Sequence, residues 1–162
     1  MKTENTHPAG FTPGLPKLDP QRVWRGSYRG LAFKIVSWPF AGLEDKFPSG
    51  AWNYYIYLPE TRVPNFSTIW LEDKATRYTP TSPLRVSHDY YNSPLASVKM
   101  HCGITYYSKH GHTEGCRCVE IGCDYQHLYD DGQSYDENDV LRDAVETIDD
   151  LHERGLVAEE KP

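Results

Sequence analysis

Short runs of alternating apolar and polar residues, each ended by proline or glycine, fill the chain from Val23 to Tyr125. An alternation with a period of two is typical of β-strands, because successive side chains point to opposite faces of a sheet. The run Ala51–Leu58 is the most aromatic of them, which also favours a strand. We predict strands at Trp24–Tyr28, Leu31–Trp38, Ala51–Leu58, Ser67–Leu71, Leu84–His88, Ala96–Tyr107 and Arg117–Tyr125.

One amphipathic helix is predicted after these strands. Asn138 is a candidate N-cap, and Gly155 is a candidate for the first residue beyond the helix. Several strands followed by one late helix predict an α+β domain, an antiparallel sheet with a C-terminal helix packed on one face. The apolar stripe at helical spacing consists of Val140, Leu141, Ala144, Val145, Ile148 and Leu151.

The length of 162 residues fits a single domain. We interpret residues 1–22, rich in proline and glycine, as an extended arm, 23–155 as the domain, and 156–162 as an acidic tail. No stretch approaches the ~18 apolar residues that a membrane span requires. The first twenty residues do not resemble a signal peptide, and together with four cysteines they predict reduced thiols in a cytoplasm.

The net charge of -6 is unevenly distributed. Residues 129–162 contain twelve acidic and three basic side chains, whereas residues 1–128 are mildly basic. Overall acidity argues against a non-specific nucleic-acid binder, whose affinity would come from neutralising phosphates. The acidic segment is interpreted as a solvated helix face, with mimicry of a polyanion as the alternative.

The strands Ala96–Tyr107 and Arg117–Tyr125 are predicted to form a hairpin. One register places the apolar residues of both strands on a common face, which burial requires. Residues that are opposed across two strands lie only ~5 Å apart at Cβ. On the other face, this register predicts a polar pocket floor in which His101 faces Asp124 and Thr105 faces Glu120.

A histidine and two carboxylates extend this predicted floor. Asp124, His127 and Asp130 follow the spacing D-x-x-H-x-x-D, a set that could bind a divalent metal. Alternatively, His101 oriented by Asp124, together with His127, would carry out general acid–base catalysis. A His–Asp pair across two strands can also be a purely structural hydrogen bond, and the sequence leaves both interpretations open.

Aromatic residues are candidates for the walls of this pocket. Trp52, Tyr55 and Tyr107 could stack against a ligand, with Thr105 and Glu120 supplying polar contacts. The alternative places these rings in the core or on the sheet surface.

Three segments resemble a family of small uncharacterised bacteriophage proteins. They are Asn53-Tyr-Tyr-Ile-Tyr-Leu-Pro-Glu60, His101-Cys-Gly-Ile-Thr105 and Ile121-Gly-Cys-Asp-Tyr-Gln-His127, followed by a helix with Arg142-Asp143. The family pattern runs C-G-Y-V-x-x-P, H-G-G-x-T and G-F-D-C-A-H-x-x-D. The resemblance covers Trp24 to Gly155. The chain differs from the family pattern at three places: Cys102 replaces a glycine, Gly122-Cys-Asp replaces G-F-D, and Tyr125-Gln126 replaces Cys-Ala. Positions that match are His101, Gly103, Thr105, Asp124, His127 and Asp130.

The resemblance implies a phage protein acting in the cytoplasm of the infected bacterial host, without an assigned activity. Our first hypothesis is a counter-defence protein that captures a small anionic molecule, such as a nucleotide immune signal, in the predicted pocket. The second is a hydrolase that acts on such a ligand, with or without a metal. The third is an acidic inhibitor of a host nuclease that uses Asp139, Asp143, Glu146 and Asp150. A twofold homodimer is the default expectation for its assembly.

Overall fold

A computed structural model describes residues 12–13, 22–39, 45–71, 76–77, 85–86, 92–111, 113–125, 130 and 132–159. Within these ranges, none of the helices has the length and apolar character needed to cross a membrane. The strands are β1 (Thr12–Pro13), β2 (Arg22–Tyr28), β3 (Leu31–Trp38), β4 (Ala51–Pro59), β5 (Thr76–Arg77), β6 (Arg85–Val86), β7 (Tyr106–His110) and β8 (Cys118–Asp124). The α-helix among the described residues is α1 (Glu137–Glu153), and short 3-10 helices span Glu60–Arg62, Phe66–Thr68 and Pro94–Ser97.

Six of the described strands form one antiparallel sheet in the order β1-β2-β3-β4-β8-β7, and β5 pairs with β6 in a separate ribbon. The helix α1 packs on β3 and β4. The predicted α+β class, with a C-terminal helix on one face of an antiparallel sheet, is confirmed. We call the helix-covered face the inner face and the opposite one the outer face.

Local turn chemistry explains the β2–β3 hairpin. Arg29 and Gly30 join the strands and both have positive φ, at 47° and 79°. This conformation matches the twist of a two-residue hairpin, and it is accessible to glycine without strain. Because the turn is local, the strand boundaries could be predicted from the sequence to within two residues.

The inner face and the helix enclose the hydrophobic core. Phe33, Ile35, Tyr54 and Ile56 project from the middle strands and are almost completely buried. From the helix, the buried residues are Val140, Leu141, Ala144, Thr147, Ile148 and Leu151. The core extends beyond the helix, since Val157 is 4% exposed.

The helix begins two residues earlier than the predicted N-cap implies. Asp136, rather than Asn138, is the N-cap: its side chain accepts a hydrogen bond from the backbone of Asp139, and Asp139 reciprocates. This capping box satisfies two backbone donors that the first helical turn would otherwise leave free. At the other end, Gly155 has a φ of 71° directly after the C-cap Arg154, as predicted.

Two predicted strands are wrong in part or entirely. The stretch Ser67–Leu71 lies in and after the 3-10 helix Phe66–Thr68. Of the stretch Ala96–Tyr107, only Tyr106 and Tyr107 belong to a strand, because the preceding residues form a 3-10 helix and turns. The second of these errors changes the location of the candidate site.

Candidate active site

The register of the β7–β8 hairpin differs from the prediction by three residues. Glu120 lies opposite Ser108, not Thr105, and Tyr107 lies opposite Ile121. Since side chains alternate between faces, a shift by an odd number of residues moves each side chain of β7 to the other face relative to β8. The predicted pairs His101–Asp124 and Thr105–Glu120 are therefore not formed.

A tight turn before β7 explains the shift. Cys102 and Gly103 have positive φ, at 62° and 84°, and the backbone N–H of Gly103 donates to the carbonyl of Met100 at 3.0 Å. A chain that reverses here cannot continue as a β-strand, whose residues have negative φ. Thr105 still contacts β8, but through its backbone N–H, which donates to the carbonyl of Gly122 at 2.9 Å.

His101 and Asp124 lie on opposite faces of the sheet. Cys123 and Tyr125 are buried on the inner face, so Asp124 between them belongs to the outer face, where it pairs with Asn53. His101 lies on the inner side, beside α1. The pocket floor predicted from these two side chains does not exist in this fold.

Two of the predicted ligand-binding aromatics belong to the core. Trp52 is 2% exposed and stacks on Trp24 with ring centroids 5.7 Å apart. Tyr107 is also 2% exposed, and its hydroxyl donates to the carbonyl of Ile69 at 2.8 Å. Both rings are held by their neighbours, so they form no wall toward solvent.

Glu120 and Tyr55 remain together on the outer face. The buried Glu120 carboxylate contacts His110 Nε2 at 2.8 Å and Lys34 Nζ at 3.7 Å. Tyr55 lies under the same Lys34, whose Nζ is 4.7 Å from the ring centroid. Burial and the Glu120 carboxylate raise the pKa of the neighbouring Tyr57 to about 12. This cluster balances its own charges and is compatible with a structural role.

On the inner side, His101 contacts a different carboxylate from the predicted one. Its Nε2 lies 2.8 Å from Oδ1 of Asp130, a residue with no exposed surface. The hydroxyl of Tyr135 donates to the same Asp130 oxygen at 2.5 Å, and burial and Asp130 together raise the pKa of this tyrosine. Two of the predicted site residues, His101 and Asp130, therefore meet, while His127 lies outside the described residues.

Tyr125 and the helix hold the imidazole from two further sides. The rings of His101 and Tyr125 stack with centroids 3.9 Å apart and planes 9° from parallel. The hydroxyl of Tyr125 donates to Asp143 on α1, and Oδ2 of Asp143 is 3.8 Å from His101 Nδ1. Burial and the Asp143 charge raise the pKa of Tyr125, so this hydroxyl stays a donor. The stacked ring and the two carboxylates fix the plane and rotation of the imidazole.

A chain of hydrogen bonds below the imidazole connects it to the core. The backbone N–H of His101 donates to the hydroxyl of Tyr54 at 3.3 Å, and this oxygen lies 2.8 Å from Thr147 Oγ1. The single Thr147 hydrogen is directed at the carbonyls of Lys99 and Asp143, at 2.7 and 3.0 Å, so Tyr54 is the donor to Thr147. The position of His101 is thus coupled to the packing of the helix on the sheet.

The imidazole borders a cleft of about 160 Å³. Asp143 and Glu146 contribute two carboxylates to its walls, and Lys99 contributes one ammonium group, paired with Glu146 at 3.1 Å. The charged groups of the wall are therefore more acidic than basic, which disfavours a free anion in this cleft. The residues lining it are Tyr54, Lys99, Met100, His101, Asp143, Glu146 and Thr147.

Sequence reasoning missed Asp143, Tyr125 and Cys102 as neighbours of His101. The sequence indicates Asp143 only as part of an acidic helix surface, although it precedes the buried Thr147 by one turn and so borders the apolar stripe. In the predicted strand Ala96–Tyr107, alternation places Cys102 on the apolar face, away from His101. The sequence His-Cys-Gly at this position could have indicated a turn, since glycine favours positive φ.

Comparisons with models of protein families, with curated proteins and with solved structures find no match to this chain. The candidate site therefore rests on its own geometry.

Proposed function

We propose that the chain is a hydrolase whose water-activating centre consists of His101 and Asp130. The observation that carries this proposal is the 2.8 Å contact between the imidazole Nε2 and the fully buried Asp130 carboxylate, at the edge of a cleft. An imidazole oriented by a buried carboxylate is an arrangement that can activate water, either directly or through a bound metal.

The surrounding contacts support a functional interpretation of this pair. A buried carboxylate needs compensation, which Asp130 receives from His101 and from the hydroxyl of Tyr135. The second nitrogen of His101 lies on the side of Asp143, which lines the cleft. A substrate in the cleft would therefore approach an imidazole whose ring plane is already fixed, which lowers the cost of reaching a reactive geometry.

The capture of a small anion, our first expectation, receives less support. Its pocket required His101 and Asp124 on one face, and the cleft that does adjoin His101 has more carboxylates than cations. The excess of negative charge favours a substrate without a net negative charge. A phage origin, a counter-defence role, the host cytoplasm and a homodimer stay predictions.

The acidic inhibitor also receives less support, because the four carboxylates proposed to imitate a polyanion have partners within the fold. Each of them accepts a hydrogen bond or forms an ion pair within the chain, and this offsets part of the negative charge that a basic partner would bind. The contacts are Asp139 with Arg142, Asp143 with Tyr125, Glu146 with Lys99, and Asp150 with Arg154.

The test is turnover of two chromogenic esters, a neutral carboxylic ester and an anionic phosphodiester. We expect hydrolysis of the neutral ester above the buffer rate and a loss of at least about 100-fold in His101→Asn, the lower end of general acid–base contributions. His110→Asn is the matched control, since His110 also contacts a buried carboxylate at 2.8 Å but on the outer face. Equal rates for the wild type and His101→Asn would refute the proposal.

A further inference from the structure

We propose that His101, Cys102 and Asp130 bind a divalent transition metal of the zinc type. The metal predicted from the sequence had Asp124, His127 and Asp130 as ligands, and Asp124 lies on the outer face, so the ligand set is a new one. The proposal adds a thiol ligand, Cys102, that no earlier argument assigned. It lies within the proposed hydrolytic centre, but metal binding can be measured without turnover.

The geometry brings three ligand atoms of different chemistry together. The imidazole nitrogen of His101, the thiol sulfur of Cys102 and a carboxylate oxygen of Asp130 all lie within 4.8 Å of one another. Tetrahedral zinc, with bond lengths of about 2.0–2.3 Å, separates its ligand atoms by about 3.3–3.6 Å. The three atoms can therefore reach zinc distances by small side-chain rotations.

The turn before β7 is what allows adjacent residues to act together. In a strand, His101 and Cys102 would point to opposite faces. Here Cys102 has a φ of 62° and Gly103 a φ of 84°, which reverses the chain and leaves the imidazole and the thiol on the same side as Asp130. The conformation that excluded the predicted strand is thus the one that assembles the three ligands.

The chemistry of the three ligands selects the kind of metal. Thiolate and imidazole ligands favour zinc and similar transition metals, whereas magnesium and calcium prefer sites made of oxygen atoms alone. Three protein ligands with a fourth position for water are typical of a catalytic zinc site. Of the three ligands, His101 also lines the cleft.

Neighbouring side chains support the ligands in the way metal sites require. Tyr135 donates a hydrogen bond to Asp130, and Tyr125 stacks against the ring of His101. Asp143 lies 3.8 Å from Nδ1 of His101, the nitrogen that would not bind the metal. A ligand histidine that donates its other N–H to a carboxylate is oriented and made more basic, and Asp143 would need to approach by about 1 Å or slightly less to accept that hydrogen bond.

The test is metal binding by the purified full-length chain after treatment with a chelator. Equilibrium dialysis against Zn²⁺, followed by elemental analysis, is expected to give one zinc per chain. With Co²⁺, we expect the absorption of a thiolate–cobalt bond and of a tetrahedral centre. Cys102→Ser is expected to weaken binding by about 100-fold or more, since even the loss of an outer contact costs about 10- to 100-fold.

Cys116→Ser is the matched control, because Cys116 is an exposed cysteine outside the cluster, and it is expected to bind both metals like the wild type. Asp130→Asn is a second test, and circular dichroism checks whether this buried variant folds; if it does not, the half-buried Cys102→Ser decides. No stoichiometric zinc, or unchanged binding in Cys102→Ser, would overturn the proposal. Ester hydrolysis by a chain that binds no stoichiometric zinc would overturn the metal site alone. Stoichiometric zinc without ester hydrolysis would overturn the proposed function alone.

Discussion

The stability of Tyr107→Phe distinguishes the observed hairpin register from the one that alternation predicts. In the predicted register, Tyr107 lies on the polar pocket face, and Tyr107→Phe would change stability very little. In the structure this hydroxyl donates to the carbonyl of Ile69 at 2.8 Å and accepts from the backbone N–H of Leu71 at 3.0 Å. Both contacts are buried and neither can form with phenylalanine.

The size of the effect follows from these two hydrogen bonds. A buried hydrogen bond contributes about 0.5–1.5 kcal/mol net, so two of them contribute about 1–3 kcal/mol. The backbone N–H of Leu71 retains a contact with the carbonyl of Ile69 at 3.1 Å, which favours the middle of this range. A loss of about 2 kcal/mol lowers the melting temperature of a chain of this size by about 4–8 °C.

The assay is reversible thermal and urea unfolding of Tyr107→Phe beside Tyr28→Phe. Tyr28 bonds through its hydroxyl to Asp149, a half-exposed carboxylate, and its loss is expected to cost about 0.5 kcal/mol or less. Equal unfolding free energies for the two variants would refute the observed register, and the interpretation of the His101 site would fail with it.

Two further predictions concern the helix. Asp136→Ala removes the N-cap and is expected to cost about 1 kcal/mol in urea unfolding, whereas Asn138→Ala is expected to cost much less. Burial, together with the nearby charge of Arg29, lowers the pKa of His152, so protonation favours the unfolded state. The unfolding free energy is expected to fall as the pH decreases below about 6.5, and His152→Gln is expected to reduce this slope; an unchanged slope would contradict the assignment.

Much of the fold could be predicted because the sequence patterns that indicate its strands, its helix and its first turn each lie within one short segment. The strand Ala51–Pro59 and the helix Glu137–Glu153 each carry a clear period, of two and of 3.6 residues. The turn at Arg29-Gly30 specifies its own geometry. None of these predictions required knowledge of which segments meet in space.

The register of β7 against β8 is not a local property. Alternation selects a register that brings the two predicted apolar sets together, but most of the first set lies outside β7. In the observed register Tyr107, which alternation places on the polar face, lies opposite the buried Ile121. The conformation of Cys102 and Gly103 determines the register. Both residues have positive φ, and the turn that they form ends the alternating stretch before β7 begins. The apolar and polar residues do alternate along 98–107, but of these residues only Tyr106 and Tyr107 lie in a strand.

The residues of the candidate site could be predicted only in part, because residue types can be read from the sequence whereas contacts between distant segments cannot. His101 and Asp130 were both selected from the sequence, since the residue types suit acid–base and metal chemistry. Their direct contact could not be predicted, because His101 lies in the turn before β7, where strand alternation does not apply. Asp143 could not be placed either, since its position depends on where the helix docks.

The candidate site around His101 shares side chains with the hydrophobic core. Variants must therefore be chosen so that a loss of activity can be distinguished from a loss of stability. Tyr54 and Thr147 pack the helix on the sheet and also hold the backbone of His101, so their variants will alter both. His101→Asn and His110→Asn each remove one imidazole–carboxylate contact of 2.8 Å, on opposite faces of the same sheet. Because the lost contacts are of the same kind, a difference in activity between these two variants that exceeds their difference in stability can come only from the chemistry of His101.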